Sequence, residues 1–157
     1  DPGKEHQSLV EASFATWGDG PFGTLGKGPD LSISYYAKGP VVGMLLDFAI
    51  RGATENQQSL DGVMRRLYTH YYQELGRGFT DAEFQQTCEE FAGIALTEIF
   101  EYVYTTKELD YDTYLGYAGL EIQKKSTGEN SFVFTISRKE NLTVLQQAIL
   151  DSWLGLE

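Results

Sequence analysis

The longest apolar stretch of the chain runs from Val41 to Ile50, and its spacing predicts a helix. Val41, Met44, Leu45 and Phe48 stand at i, i+3, i+4 and i+7. Val42, Leu46 and Ala49 widen the apolar surface almost all round, as expected of a central rather than a peripheral helix. Pro40 has no N–H and suits a first helical turn, which predicts a start between Tyr36 and Gly39. Asp47 and Arg51 are four apart, in the favourable order for an ion pair. Upstream, Leu9, Ala12, Phe14 and Trp17 predict a short helix over Ser8 to Trp17. A Gly- and Pro-rich stretch from Gly18 to Asp30 reads as loop.

After Gly52 the pattern restarts. Leu60, Val63, Met64, Leu67, Tyr71 and Leu75 share one face of a helix that Ser59 is expected to cap and Gly76 to stop. Thr80-Asp81-Ala82-Glu83 reads as a capping box, with Phe79 and Phe84 as a hydrophobic staple across it. Phe84, Cys88 and Phe91 form the inner face of this helix, which ends near Gly93. The short link Arg77-Gly78 predicts that the two helices pack as a hairpin. Leu96, Ile99, Phe100 and Val103 mark a further helix. Asp110 is expected to cap a short one through Leu115, with Gly119 as its stop. The period then changes. Leu120 to Lys125 and Phe132 to Arg138 predict a β-hairpin about the turn cluster Ser126 to Asn130. Asn141 or Thr143 caps a closing helix with Leu145, Ala148, Ile149 and Trp153 on one face. The expected fold is mainly α: a helical bundle over residues 1–119, then a small β-hairpin and closing helix over 120–157.

Composition narrows the function classes. Of 157 residues, 41% are hydrophobic and 22% charged, as in ordinary globular proteins. The net charge of −11 makes nucleic acid and anionic membrane poor partners. No apolar run reaches membrane-spanning length without a charge, since Asp47 and Arg51 interrupt the best one. The single cysteine, Cys88, excludes an internal disulfide framework.

Candidate chemistry is sparse. Gly26-Lys27-Gly28 fails the Walker pattern, because Gly28 stands where Ser or Thr is required. His70 and Glu74 share a helical face, but Tyr71 follows the histidine where a zinc hydrolase needs its base, and no third ligand is evident. His6 beside Glu5 has the same status. Glu108, Asp110 and Asp112 lack the Gly and terminal Glu of a calcium loop. Asn141-Leu142-Thr143 is a formal glycosylation sequon that reads better as a helix cap. Cys88 reads as core filler. Tyr35 and Tyr36 stand at the mouth of the greasy helix, where a phenol is an amphipathic anchor or a donor aimed at a cavity. These residues do not compose a complete catalytic site, and none of them forms a metal site.

Several of the motifs, in order, are similar to a known family. Ser34-Tyr35-Tyr36-Ala37-Lys38-Gly39 resembles the Tyr-Tyr-x-Lys-Gly signature of glycyl aminopeptidase-type zinc peptidases. The segment Gly3 to Trp17 resembles the one that precedes this signature. Leu46-Asp47-Phe48-Ala49-Ile50-Arg51 and Ser59 to Arg65 resemble the family's next two helices, and Gly78-Phe79-Thr80 and Phe91-Ala92-Gly93 follow in the expected order. The likeness runs from about Gly3 to Leu120. The wider aminopeptidase N group shares the short Tyr-x-Lys-Gly motif.

The resemblance implies the helical, C-terminal part of a thermolysin-like (gluzincin) catalytic domain. The zinc motif H-E-x-x-H and the later ligand Glu would lie upstream, so the chain looks like a fragment that starts after the metal site. Zinc is implied for the parent and not for this chain, which would be inactive alone. Tyr36 is the one catalytic residue that the likeness carries over, as a donor to the oxyanion of the attacked peptide carbonyl. Tyr35 is the second choice, and Lys38 and Gly39 are structural support for the aim of Tyr36. The partners implied are the missing N-terminal half and, in the full enzyme, a peptide substrate. An exposed apolar patch around the Tyr36 end and self-association are also expected. The alternative is a non-catalytic helical interaction module on a peptidase-like scaffold. Family members often continue into a PDZ domain; the piece after Leu120 is too short for one.

Overall fold

Helix α2 (Tyr35–Ala53) begins earlier than the position of Pro40 suggests. Pro40 therefore lies inside the helix and not in its first turn. Without an N–H it cannot donate the i→i−4 bond to the carbonyl of Tyr36. Ser34 O accepts from the N–H groups of Ala37 and Lys38 at 3.1 and 3.0 Å, which anchors the start of the helix despite the proline. The computed structural model describes residues 2–18, 32–128 and 131–156. The loop expected over Gly18 to Asp30, with Gly26-Lys27-Gly28, lies outside the described residues apart from Gly18, as do Glu129 and Asn130 of the hairpin turn.

The other elements follow the expected order. A short 3-10 helix (Pro2–Glu5) precedes α1 (Leu9–Gly18). Then come α3 (Leu60–Leu67), α4 (Asp81–Ala92), α5 (Thr97–Tyr104), α6 (Tyr111–Tyr117), β1 (Leu120–Gly128), β2 (Ser131–Arg138) and α7 (Val144–Leu154). The fold is mainly helical, with an antiparallel hairpin and a closing helix. The chain divides into two compact units: residues 1–44 with 96–109, and 45–95 with 110–157. The division falls inside α2, and the hairpin and α7 belong to the second unit together with α3, α4 and α6.

In the first unit α1 packs against α5. Leu9, Ala12, Ile99, Phe100 and Tyr102 are buried. Ser8 and Glu11 form a reciprocal cap at the start of α1: the Ser8 hydroxyl accepts from Glu11 N–H at 3.2 Å, and the Glu11 carboxylate accepts from Ser8 N–H at 2.9 Å. This is the Ser-x-x-Glu box that satisfies two otherwise orphaned donors. The buried Gln7 side chain accepts from Ile33 N–H at 3.0 Å.

In the second unit Leu45, Phe48, Ile50, Val63, Leu67, Leu115 and Ile149 are among the fully buried side chains. The expected Asp47–Arg51 pair forms at 2.8 Å and is buried. Its other carboxylate oxygen accepts from Leu60 N–H at 2.7 Å. That bond corrects the expected cap of α3. Ser59 occupies the N-cap position with extended backbone, but its side chain makes no capping bond. Asp47 supplies the acceptor from across the connection.

A second correction concerns the length of α3. It is α-helical only to Leu67, and Tyr68–Glu74 continues as π-helix, with Leu75 N–H donating to His70 O at 3.1 Å. The wider turn breaks the 3.6 period. Val63 and Leu67 are buried, whereas Leu75, beyond the wider turn, is exposed; Met64, expected on the same face, is exposed too, although it lies before that turn.

Helix α4 forms as expected. Thr80 and Glu83 make the reciprocal capping box, and the Phe79 and Phe84 rings stack at 6.0 Å. Helices α3 and α4 pack together, joined by the tight connection through Gly76, whose φ is +65°. Asp110 caps α6 by accepting from Thr113 N–H at 3.0 Å. Gly119 ends that element at φ +66°, and a Cβ there would stand 2.6 Å from Leu142 Cγ, so the turn into β1 needs glycine on both counts. The hairpin pairs Leu120 with Arg138, Ile122 with Ile136 and Lys124 with Phe134. Thr143, not Asn141, caps α7. The most buried residues of α7 are Ile149 and Leu150, while Leu145 is largely exposed and Trp153 lies edge-on to Phe48 at 5.2 Å.

Two outcomes follow for stability. Thr80→Ala is expected to cost about 1 kcal/mol in urea unfolding, whereas Ser59→Ala should cost less than about 0.5 kcal/mol; equal losses would show that Ser59 is a true cap. Asp47→Ala leaves the buried Arg51 charge without its carboxylate and should cost about 3–5 kcal/mol. A second test uses acid. Arg77, the Thr80 N–H and the Thr80 hydroxyl hold the Glu83 carboxyl down at about 2, against an ordinary 4.5. A depressed carboxyl contributes stability that is present above its unfolded value and lost as pH falls through its folded value. The stability difference between wild type and Glu83→Gln should therefore be full above pH 4.5 and vanish as pH approaches 2. A pH-independent difference would overturn that assignment.

Candidate functional site

The open end of α2 carries the residues that the motif singles out. Tyr35 is the first residue of the helix and Tyr36 the second. Their rings lie 4.2 Å apart, tilted by 32°. The Tyr36 ring is 73% exposed, while Tyr35 is half-buried. A side-chain hydrogen bond with Tyr36 is the main cause that holds the Tyr35 phenol above its ordinary value, followed by desolvation and the charge of Tyr36. Tyr35 is thus the half-covered member of the pair, lying against the ring of Tyr36, and Tyr36 the outward one.

Lys38 and Gly39 are helical and half-buried. Desolvation lowers the Lys38 ammonium below its ordinary value, which is the signature of a side chain lying along the surface and not out in water. Gly39 and Gly43 stand three and seven positions after Tyr36, on its side of the helix. A Cβ at either would meet nothing within 4 Å among the described residues. On the side of α2 that carries Tyr36, the two glycines therefore leave a strip of backbone without side chains. The carbonyl of Tyr36, which Pro40 cannot satisfy, lies in the same turn.

The other sequence candidates are dispersed. His70 Nδ1 and Glu74 Oε2 are 2.8 Å apart on the π-helical segment, both in contact with solvent. His6 is exposed near the N-terminal end of the first unit. Glu108 pairs with Lys4 at 2.7 Å, and Asp110 is occupied as a helix cap, its carboxyl lowered by Thr113. Among the described residues no three His, Cys, Asp or Glu side chains converge in a way that could hold a metal ion. The donor set for zinc is therefore not met by these residues, and no step at a metal is assigned to them.

Three features were not foreseen from the sequence. The π-helical segment stacks Tyr68 on Tyr72 at 5.2 Å and places Arg77 over the Tyr71 ring at 4.9 Å. Its signal is the run Tyr68-Thr69-His70-Tyr71-Tyr72, built of weak helix formers. The Ser8–Glu11 box was legible as Ser-x-x-Glu. The early start of α2 had no signal, because Pro40 argues for a later one.

No helix among the described residues is long and apolar enough to cross a membrane. Comparison with protein-family models, with curated proteins and with solved structures finds no match to this chain.

Cys88 is buried, and burial, with a smaller contribution from Glu89, pushes its thiol up to about 12. The thiolate is the reactive form. The native chain should therefore react with a thiol reagent at mildly alkaline pH only at the rate at which it unfolds. Rapid stoichiometric labelling of folded protein would overturn that reading.

Proposed function

We propose that this chain is the helical part of a zinc-aminopeptidase catalytic domain and that Tyr36 is its contribution to the chemistry. The observation that carries the reading is the outward Tyr36 phenol at the mouth of α2, set in Ser34-Tyr35-Tyr36-Ala37-Lys38-Gly39. Tyr35 lies against the ring from one side. Among the described residues, the bare strip at Gly39 and Gly43 leaves room for an extended substrate backbone on the same side of α2.

Under this reading Tyr36 donates its O–H to the oxygen that gains charge as a peptide carbonyl is attacked. A donor fixed on a helix acts where charge develops only in the transition state, so it lowers the barrier more than it tightens substrate binding. Lys38 and Gly39 act through the helix. The lysine stem covers apolar surface, and the glycine keeps the substrate side clear. The zinc ligands belong to a partner half of the domain that carries H-E-x-x-H. Exposed apolar side chains of the first unit, Phe14 at 83% and Tyr36 at 73%, fit a surface that such a half covers.

The test uses the parent enzyme. Tyr36→Phe should lower turnover about 10²–10³-fold, with the far-UV circular dichroism unchanged and KM little affected. Tyr35→Phe should have a smaller effect; the reverse ranking would move the role to Tyr35. Near-normal turnover in both variants, or a parent sequence without H-E-x-x-H and a downstream Glu, would sink the proposal.

A further inference from the structure

The second unit carries an apolar surface that plays no part in the peptidase reading. Cross-strand partners share a face of the hairpin. The register therefore groups Ile122, Lys124, Phe132, Phe134, Ile136 and Arg138 together. Phe132, Phe134 and Ile136 form a row along β2 and are 46%, 60% and 48% exposed. Among the described residues β2 pairs only with β1, so its outer edge has no strand partner. A two-stranded ribbon with an uncovered apolar face is half of a stable arrangement.

The two edges are not alike. Edge strands are ordinarily protected by charge. β1 carries Glu121, Lys124 and Lys125, whereas β2 has no charged residue from Ser131 to Ser137 and no proline. β2 is the edge open to a further strand.

Charge says which kind of strand. Lys124 leans off its own strand, so that its ammonium stands 4.0 Å from the centroid of the Phe132 ring and 5.9 Å from that of Phe134. Among the described residues no carboxylate is within ion-pairing distance of it. Arg138, at the end of the same row, is hydrogen-bonded to the neutral Gln147. It opens on a recess of about 460 Å³ at the start of α7, which Glu140 shares. Glu121 is on the opposite face, where Ser137 Oγ donates to it at 3.2 Å. The face thus carries five apolar side chains, Leu120, Ile122, Phe132, Phe134 and Ile136, with Ser126 and two cations, Lys124 and Arg138.

We propose that the open edge of β2 takes up an extended, acidic polypeptide segment as a third strand. Its apolar side chains continue the row Phe132, Phe134 and Ile136, and its carboxylates meet Lys124 and Arg138. Main-chain bonds to the edge give affinity and alternate side chains give selectivity, the general logic of strand addition. The cations select against basic segments at the edge itself. Two other occupants fit less well. A hairpin enters a membrane surface by its tip, and Ser126, Thr127 and Gly128, the last residues of β1 before the turn expected from the sequence, carry no large apolar side chain. A second copy would bring the same cations, Lys124 and Arg138, to the same edge.

The experiment pans a library of random linear peptides against the immobilised chain, with the Lys124→Glu chain as counter-selection. The winners are then measured by fluorescence anisotropy. Peptides that alternate apolar residues with Asp or Glu are expected. Lys124→Glu and Phe134→Ser should each weaken their binding about tenfold or more, as should replacing the peptide carboxylates by amides. Circular dichroism verifies that both variants, which alter exposed side chains, stay folded. No enrichment over the Lys124→Glu chain overturns the proposal, and so does enrichment of basic or uncharged peptides. Binding to phosphatidylcholine–phosphatidylserine vesicles that Phe134→Ser abolishes would reassign the face to a membrane. A dimer in sedimentation that the same substitution dissolves would reassign it to a second copy.

Discussion

One buried carboxylate organises the second unit. Asp47 gives one oxygen to Arg51 at 2.8 Å and the other to the first N–H of α3 at 2.7 Å. Arg51 in turn donates to the side chains of Asn56 and Ser152, both at 2.9 Å. Asn56 adds a bond to the Ala148 carbonyl at 3.2 Å. Four pieces of chain are thereby tied to one charge: the end of α2, the connection after it, the start of α3 and the body of α7. A buried ion pair contributes little net stability, because desolvation offsets attraction. What it contributes is geometry, since every polar atom must be met for the pair to be tolerated at all. Among the described residues no buried side-chain nitrogen or oxygen is left without a partner. The left-handed backbone at Glu55 and Asn56, with φ of 50° and 65°, is the local strain through which Asn56 reaches this network.

Much of the architecture was legible in the sequence because its signals are local. The box at Thr80–Glu83, the stop at Gly76, the cap at Asp110 and the turn at Gly119 each arise from bonds within a few residues. The hairpin was legible because its period changes. The misreadings have separate origins. Ser59 has the right residue type for a cap, but its hydroxyl accepts no bond from the helix, and the side-chain acceptor at the helix start is Asp47, which takes the Leu60 N–H from thirteen positions earlier. Pro40 marks a helix start when the carbonyl four residues back must be satisfied within the helix, and here the helix runs on regardless. The 3.6 period through Leu75 failed because π-helix is a matter of backbone bonding, which side-chain polarity does not encode.

The candidate site was legible only in part. Position along the chain placed Tyr35 and Tyr36 at a helix mouth, and the structure has them there. Which phenol faces outward could not be read from two adjacent tyrosines, since either ring can take the inner place. The difference came from packing: Tyr35 is half-covered and Tyr36 is not. Nor could the sequence tell that no described residue stands against Gly39 or Gly43, because glycine in a helix signals close approach as often as vacancy.

The π-helical segment has a consequence for how this part of the chain varies. Each of its rings closes over one residue more than an α-helical ring. A chain one residue shorter between Leu67 and Gly76 can bridge the same two ends as ordinary α-helix. Among sequences that share this fold, the stretch from Tyr68 to Glu74 is therefore where an alignment gap is expected inside a helix. A gap there would be evidence of an insertion absorbed by the backbone, and not of a loop.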